Sequence, residues 1–213
     1  ALERRQRKQG GITVSSDARL SVLKLLFPTE KGDTVQFAVD LIRDFPENAC
    51  RNYIPATVFL FHSQFIYGVA GTETQCFPFL DTRDEFHQDE YAAWFGTMGL
   101  RIVVTEEIMQ SGCGDKDTRY LGYISANSGQ VKLYEVLDAC PNRERMAKLR
   151  TKEKFEQALQ LFYQYDFYLA RSTFSELLRE LPDDRIAKWY LFTCEKHLNE
   201  VHGETIDCGL HYD

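Results

Sequence analysis

The sequence predicts an α+β protein: a mixed sheet flanked by helices, with an α-helical hairpin appended towards the C-terminal end. Three observations carry this. Runs rich in β-branched and aromatic residues, IPATVFLFH (54–62), LRIVVT (100–105), RYLGYISA (119–126) and QVKLYEVLDA (130–139), alternate with amphipathic helical stretches. The last two runs flank an Asn-Ser-Gly turn, a hairpin signal. Beyond Pro141, residues 143–200 carry helical periodicity and no strand signal.

In chain order, Leu20, Leu23, Leu26 and Phe27 have a spacing compatible with a helix, but the segment is short enough for a strand pair, and both readings stay open. TVQFAVDLIRDF is clearer. Val35, Ala38, Val39, Leu41 and Ile42 fall on one helical stripe, Asp33 or Thr34 can cap its start, and Pro46 forbids its continuation. IPATVFLFH reads as a buried strand with FIYGVAG (65–71) as its hairpin partner. A short helix follows in EYAAWFGTMG, ended in the left-handed conformation by Gly96 or Gly99. EEIMQSG makes a further turn or two of helix, stopped by GCGDKD. FEQALQLFYQY and FYLARSTFSELLREL form two amphipathic helices. Pro182-Asp183-Asp184 starts a third, IAKWYLFTCEKHL, and residues 201–213 read as a tail.

Composition bounds the function. Forty-four per cent hydrophobic residues exclude the signature of disorder, and 213 residues suffice for a sizeable core. A net charge of −7 argues against a broad nucleic-acid or anionic-membrane footprint. The one basic run, ERRQRK (3–8), is expected to cap a truncated helix rather than to grip phosphate. Six dispersed cysteines, with no CxxC pair, read as reduced thiols of a cytoplasmic protein. No run reaches the ~20 apolar residues of a membrane helix, and no signal-peptide core follows the basic start. The chain starts with Ala, so the expectation is a fragment or processed chain, and the cytoplasmic part of a longer membrane-anchored protein stays open.

The order of motifs resembles a class III adenylate/guanylate cyclase homology domain over roughly residues 10–137. FLFHSQFIYGVAG resembles the family's H-x-G strand and G-x-x-G partner, EYAAWF its N-x-x-x-R helix, RIVVTEEI its I-L-V-S/T-E strand, and RYLGYISANSGQVKLYEVL its closing R-x-L-G…Y-E-V hairpin. GGITVSSDARLSVLKLLFP resembles the upstream G-G…G-D…F-P segment, and DTVQFAVDLIRDF the helix after it. The resemblance implies a cyclase-like (ferredoxin-like) mixed sheet in a domain at 10–140, in which His62, Gly68 and Gly71 are structural. A lone histidine in an apolar strand reads as a satisfied core residue on its own account too.

The functional positions depart from the family. Its reaction needs two metal ions, Mg2+ or Mn2+, on two aspartates. No F-x-D-I/V-x-G-F-T segment stands before Gly10, and counting back from Phe27-Pro28 puts Ser21 at the second aspartate, with Asp17 a weak, out-of-register candidate. Glu90 and Trp94 stand where Asn and Arg orient ribose and stabilise the transferring phosphoryl group, and Glu90 would repel a triphosphate. His62-Ser63-Gln64 lacks the glycine of H-x-G. The acidic loop TRDEFHQDEY (82–91) lacks the glycine-punctuated pattern of a calcium loop. Gly112 and Gly114, with Asp115 and Asp117, read as a turn rather than a phosphate cradle, since no GK[ST] follows.

Residues 151–184, within a helical segment at 143–200, resemble a single tetratricopeptide-type repeat: Ala158 and Ala170 at the small positions, Tyr165-Asp166-Phe167 at the turn, Phe174 in the second helix and Pro182 at the close. One repeat cannot bury both faces, so this segment is expected to cover or space rather than to form a peptide groove. The resemblances together imply a non-catalytic cyclase-homology module of a bacterial signalling protein, without cofactor. It would act through homodimers or heterodimers, with a further protein partner at the helical segment and no nucleic-acid or direct membrane contact. The alternatives are an active purine nucleotide cyclase completed by another segment or chain, using Mg2+ or Mn2+, and a helical scaffold for peptides.

Overall fold

Strand alternation in the middle of the chain decides the architecture. A computed structural model describes residues 12–17, 22–26, 33–44, 56–72, 75–82, 87–127, 129–199 and 208–211. Four strands form a mixed sheet in the order β3-β6-β8-β7: β3 (Val58–Leu60) runs parallel to β6 (Ile102–Thr105), and β8 (Gly129–Val136) lies antiparallel to β6 and to β7 (Thr118–Ala126). The central strand β6 is buried throughout and sends successive side chains to opposite faces. Val103 joins a cluster with Leu121, Ile124 and Leu133, while Ile102 and Val104 join one with Val136.

Each face carries its own helices. On the second face lie α1 (Thr34–Asp44) and α3 (Glu106–Gly112), through Val35, Ala38, Val39, Ile42 and Ile108. Asp33 caps α1 as the sequence predicts, its Oδ1 accepting from the Gln36 N–H at 2.8 Å. Against the first face pack α2 (Gln88–Thr97) and three longer helices, α4 (Asn142–Tyr163), α5 (Phe167–Glu180) and α6 (Arg185–Asn199). Gly99, at φ 73°, ends α2 in the left-handed conformation. Asp166 caps α5, its Oδ1 accepting from the Leu169 N–H at 3.1 Å. The protein is therefore α+β, a four-stranded mixed sheet between helical layers.

Two further hairpins stand apart from this sheet. β1 (Ile12–Asp17) pairs antiparallel with β2 (Val22–Leu26), so the ambiguous segment is a strand pair. β4 (Phe65–Thr72) pairs antiparallel with β5 (Gln75–Thr82), in register Gly68 with Phe79 and Gly71 with Cys76. The expected pairing of residues 54–62 with 65–71 is thereby corrected: β3 takes β6 as its partner and β4 takes β5. The local pattern specifies strands, but the choice of partner depends on which apolar faces meet across the chain.

Phe155, Ala158, Phe162, Ala170 and Phe174 of the helical segment are fully buried in one cluster with Phe95 and Leu121. The helices α4, α5 and α6 thus share a core with the sheet. Residues 208–211 join it as well, with Cys208 and Leu210 buried where a polar tail was expected.

Candidate functional site

The sequence-predicted site residues scatter over the fold. Asp17 ends β1, paired with Val22, and Ser21 lies outside the described residues, as do Asp84 and Glu85. Gly68 and Gly71 sit in β4, Gly71 at φ 137° one residue before that hairpin's turn. His62 is not a core residue. Its side chain is 43% exposed beyond the end of β3, with Nδ1 3.2 Å from Glu107 Oε2. Among the described residues the strand ends at Leu60, so His62 leaves the apolar run that would have buried it.

Glu90 and Trp94, one helical turn apart on α2, behave differently from each other. Glu90 is half-buried in the first turn, whereas Trp94 is buried and packs edge-on against Trp189 of α6, with ring centroids 5.8 Å apart. The contact with Trp189 joins α2 to the helical layer, while the Phe95 ring of the same helix lies with its centre 5.6 Å from the indole. Ala158, Ala170 and Phe174 are buried between α4, α5 and α6, and Pro182 is exposed in the turn between α5 and α6. Gly112 ends α3, and Asp117 closes the loop after it, its N–H donating to Asp138 Oδ2 at 2.8 Å while its carboxylate accepts from Arg145. That geometry is the expected turn.

A buried charge cluster gathers residues that sequence reasoning missed. Arg119 on β7 and Glu135 on β8 are register partners and fully buried. Arg119 donates through Nη2 to Glu135 Oε2 at 2.8 Å and through Nη1 to Asp184 Oδ2, while its guanidinium lies 4.5 Å from the Phe155 ring centre. Lys148 of α4 donates to Glu135 Oε1 at 2.6 Å and pairs with Glu144 Oε1 at 2.7 Å. Asp184 Oδ1 accepts from the Ala187 N–H at 3.2 Å and so caps α6. Two strands and two helices meet in this cluster, and its buried charges cancel.

Electrostatics follow from that pairing. Burial alone would raise the Asp184 carboxyl, but the adjacent Arg119 outweighs it and holds the group below the usual carboxylate range. Burial would lower the Lys148 ammonium, and Glu135 more than offsets it, raising the group above its ordinary value. Cys140, next to the cluster, is pushed up to about 12, first by burial and then by Glu135. Such a thiol stays protonated and unreactive at neutral pH. The described free cysteines, Cys113, Cys140, Cys194 and Cys208, are all buried.

Among the described residues one group of three metal-ligating side chains converges: Glu135, Cys140 and Glu144. It does not fit a cation. The Lys148 ammonium bridges both carboxylates, and the thiol would have to ionise against its burial. Neither does this group fit the two-aspartate, two-ion arrangement that the cyclase resemblance implies, being one-third thiol and already neutralised. The signal that could have found the cluster is a charged residue among the apolar ones of each strand, Arg119 in RYLGYISA and Glu135 in QVKLYEV.

No family model, curated protein or solved structure matches this chain. No helix of the described residues is long and apolar enough to cross a membrane.

Proposed function

We propose that this chain is a non-catalytic cyclase-homology module that acts through association, with itself or with an active cyclase. One observation carries the reading. The helix position where the resembled family keeps its transition-state arginine holds Trp94, and this indole is built into the core against Trp189. A residue locked between two helices supports packing and supplies no charge to a phosphoryl group. Glu90, one turn earlier, adds a carboxylate where a triphosphate would need a donor. The helices α4 to α6 bury their apolar faces on the sheet, which supports a cover rather than a peptide groove.

The test is nucleotide turnover with Mn2+, on this chain alone and mixed with an active class III cyclase. The expected result is no cyclic nucleotide from the chain alone, from either ATP or GTP, and a changed rate of the partner enzyme. Cyclic nucleotide from the chain alone overturns the reading; an unchanged partner, with no self-association in sedimentation over a range of concentrations, overturns the associative half. Reinstating the family pair by Glu90→Asn with Trp94→Arg is expected to leave turnover absent. It should cost about 2–3 kcal/mol of stability, because a guanidinium is taken out of water beside Trp189.

A further inference from the structure

Five oxidisable rings touch in series through the core. The Trp94 indole of α2 meets the Trp189 indole of α6 with centres 5.8 Å apart, and Trp189 meets Tyr190 edge-on at 4.9 Å. The Tyr190 hydroxyl lies 3.2 Å from the Tyr163 hydroxyl of α4, and the Tyr163 ring stacks on Tyr123 of β7 with centres 5.2 Å apart. Trp94 and Tyr190 are buried, whereas Trp189, Tyr163 and Tyr123 are half-buried, so the run leads from the interior to the outermost strand of the sheet. There the Tyr123 carbonyl accepts from the Leu210 N–H at 2.7 Å, which fixes that stretch of backbone.

Packing alone does not call for these hydroxyls. Phe95, Phe155, Phe162 and Phe174 fill the same core without one, and burying a phenol hydroxyl costs desolvation that only a hydrogen bond offsets. The strand makes room for the pair: a Cβ at Gly122 would stand 2.2 Å from Tyr190 Oη and 2.5 Å from Tyr163 Oη. Indole and phenol are the aromatic side chains that give up an electron most readily, and an electron passes easily between rings in contact. Burial then decides where a radical can rest. A phenol keeps a radical only if its proton departs, and burial holds the protons of Tyr190 and Tyr163 by raising both groups above their ordinary range. Tyr190 points its proton at the Leu121 carbonyl, a poor base. Tyr123, half-buried on the outer strand, is the phenol of the run that can hand its proton to water.

We propose that Trp94, Trp189, Tyr190, Tyr163 and Tyr123 form a relay that carries oxidising equivalents out of the core, with Tyr123 as the site where the radical comes to rest. A one-electron oxidant, such as an oxygen-centred radical, takes an electron from the Trp189 indole and is itself reduced. An electron from the Tyr123 phenol refills the indole through Tyr163 and Tyr190, and the phenol O–H proton leaves to water. A soluble thiol then returns one electron and one proton to Tyr123 at the expense of its own S–H bond. This inference is independent of the non-catalytic reading, since neither Glu90 nor any metal enters it.

The test is flash photolysis of the full chain with a ruthenium tris-bipyridine complex and persulfate, which makes a one-electron oxidant in solution. In the unmodified protein the indole radical absorption should decay as the tyrosyl absorption rises, at one shared rate. A nitroso spin trap followed by peptide mapping should then place adducts on Tyr123 several-fold above those on Tyr165 and Tyr168, although these two are 59% and 69% exposed. Trp189→Phe and Tyr163→Phe each keep a ring in place and remove an oxidisable one. Either should lower the Tyr123 adduct several-fold and leave Tyr165 and Tyr168 unchanged. Adducts that follow exposure, with Tyr123 below Tyr165 and Tyr168, overturn the proposal, and so does a Tyr123 adduct indifferent to Tyr163→Phe. The absorption measurement needs no variant: an indole radical that decays without a tyrosyl rise overturns the relay even where a variant fails to fold.

Discussion

Arg119→Met lowers stability by about 3–5 kcal/mol, enough to shift the melting temperature by on the order of 10 °C in a chain of this size. The cost arises from what the substitution leaves behind. Methionine fills the space over Phe155, but the Asp184 carboxylate loses the guanidinium it is paired with while remaining buried, and Glu135 loses one of its two cationic partners. Arg119→Lys should recover part of the loss and not all, because one ammonium cannot span Glu135 and Asp184 as the two guanidinium nitrogens do. Asp184→Asn keeps the cap on the Ala187 N–H and loses only the charge, so it should cost less than Arg119→Met. The double variant Arg119→Met with Asp184→Leu should be more stable than the sum of its single effects, since an apolar pair replaces a broken ionic one. Thermal or urea melts of these variants, of Asp184→Leu alone and of the unmodified protein check this, and strict additivity in the Arg119→Met, Asp184→Leu cycle would remove the claim that the residues act as a unit.

The same cluster sets an acid dependence. Because Asp184 is held below its ordinary range in the folded chain, its ionisation stabilises the fold at neutral pH. That contribution is complete above the unfolded value and is lost as pH falls through the folded one. The gap between the unmodified protein and Arg119→Met should therefore be widest near neutrality and should narrow below ~pH 4. A gap constant from neutrality into that acid range would place the loss in packing over Phe155 and not in charge.

Gly122→Ala should destabilise the chain by about 3–5 kcal/mol, from two causes that add. Gly122 sits at φ 127°, where the β7–β8 register shifts, and an L-residue there is strained whatever the space around it. The added Cβ would also lie 2.2 Å from Tyr190 Oη and 2.5 Å from Tyr163 Oη. Neither hydroxyl can withdraw freely. Tyr190 is fully buried, donates to the Leu121 carbonyl at 2.8 Å and stacks on Phe174 with ring centres 5.3 Å apart. Tyr190→Phe alone should cost about 1 kcal/mol for the lost hydrogen bond. Placed on Gly122→Ala, however, it removes the closest clash, so the double variant should be less destabilised than the sum of the two. Equal or worse-than-additive loss in chemical denaturation would put the whole cost in backbone strain.

Both residues lie in motifs that are plain in the sequence, and both owe their importance to elements far along the chain. RYLGYISA reads as a strand from its alternation and from the Asn-Ser-Gly turn after it, and the hairpin of β7 and β8 forms there. The stripe and cap of α1, the left-handed stop at Gly99 and the helices after Pro141 were legible for the same reason: periodicity, capping and turn chemistry act within a few residues. That Arg119 is buried was not legible, since its two carboxylate partners come from β8 and from the cap of α6, 65 residues away.

What the sequence by itself determined is the α+β class and most of the elements, though neither β5 nor the β1–β2 pair, because a helix or strand with clear periodicity declares itself through contacts with its own neighbours. Only the tertiary structure decided that β3 joins β6 and not β4, that His62 faces solvent, that Trp94 is a core anchor, and that Leu210 enters the sheet edge. Those outcomes depend on which apolar surfaces and which buried charges meet across long stretches of chain. No local pattern encodes such a meeting, because the free energy that selects it is gained only when the distant partners have already come together.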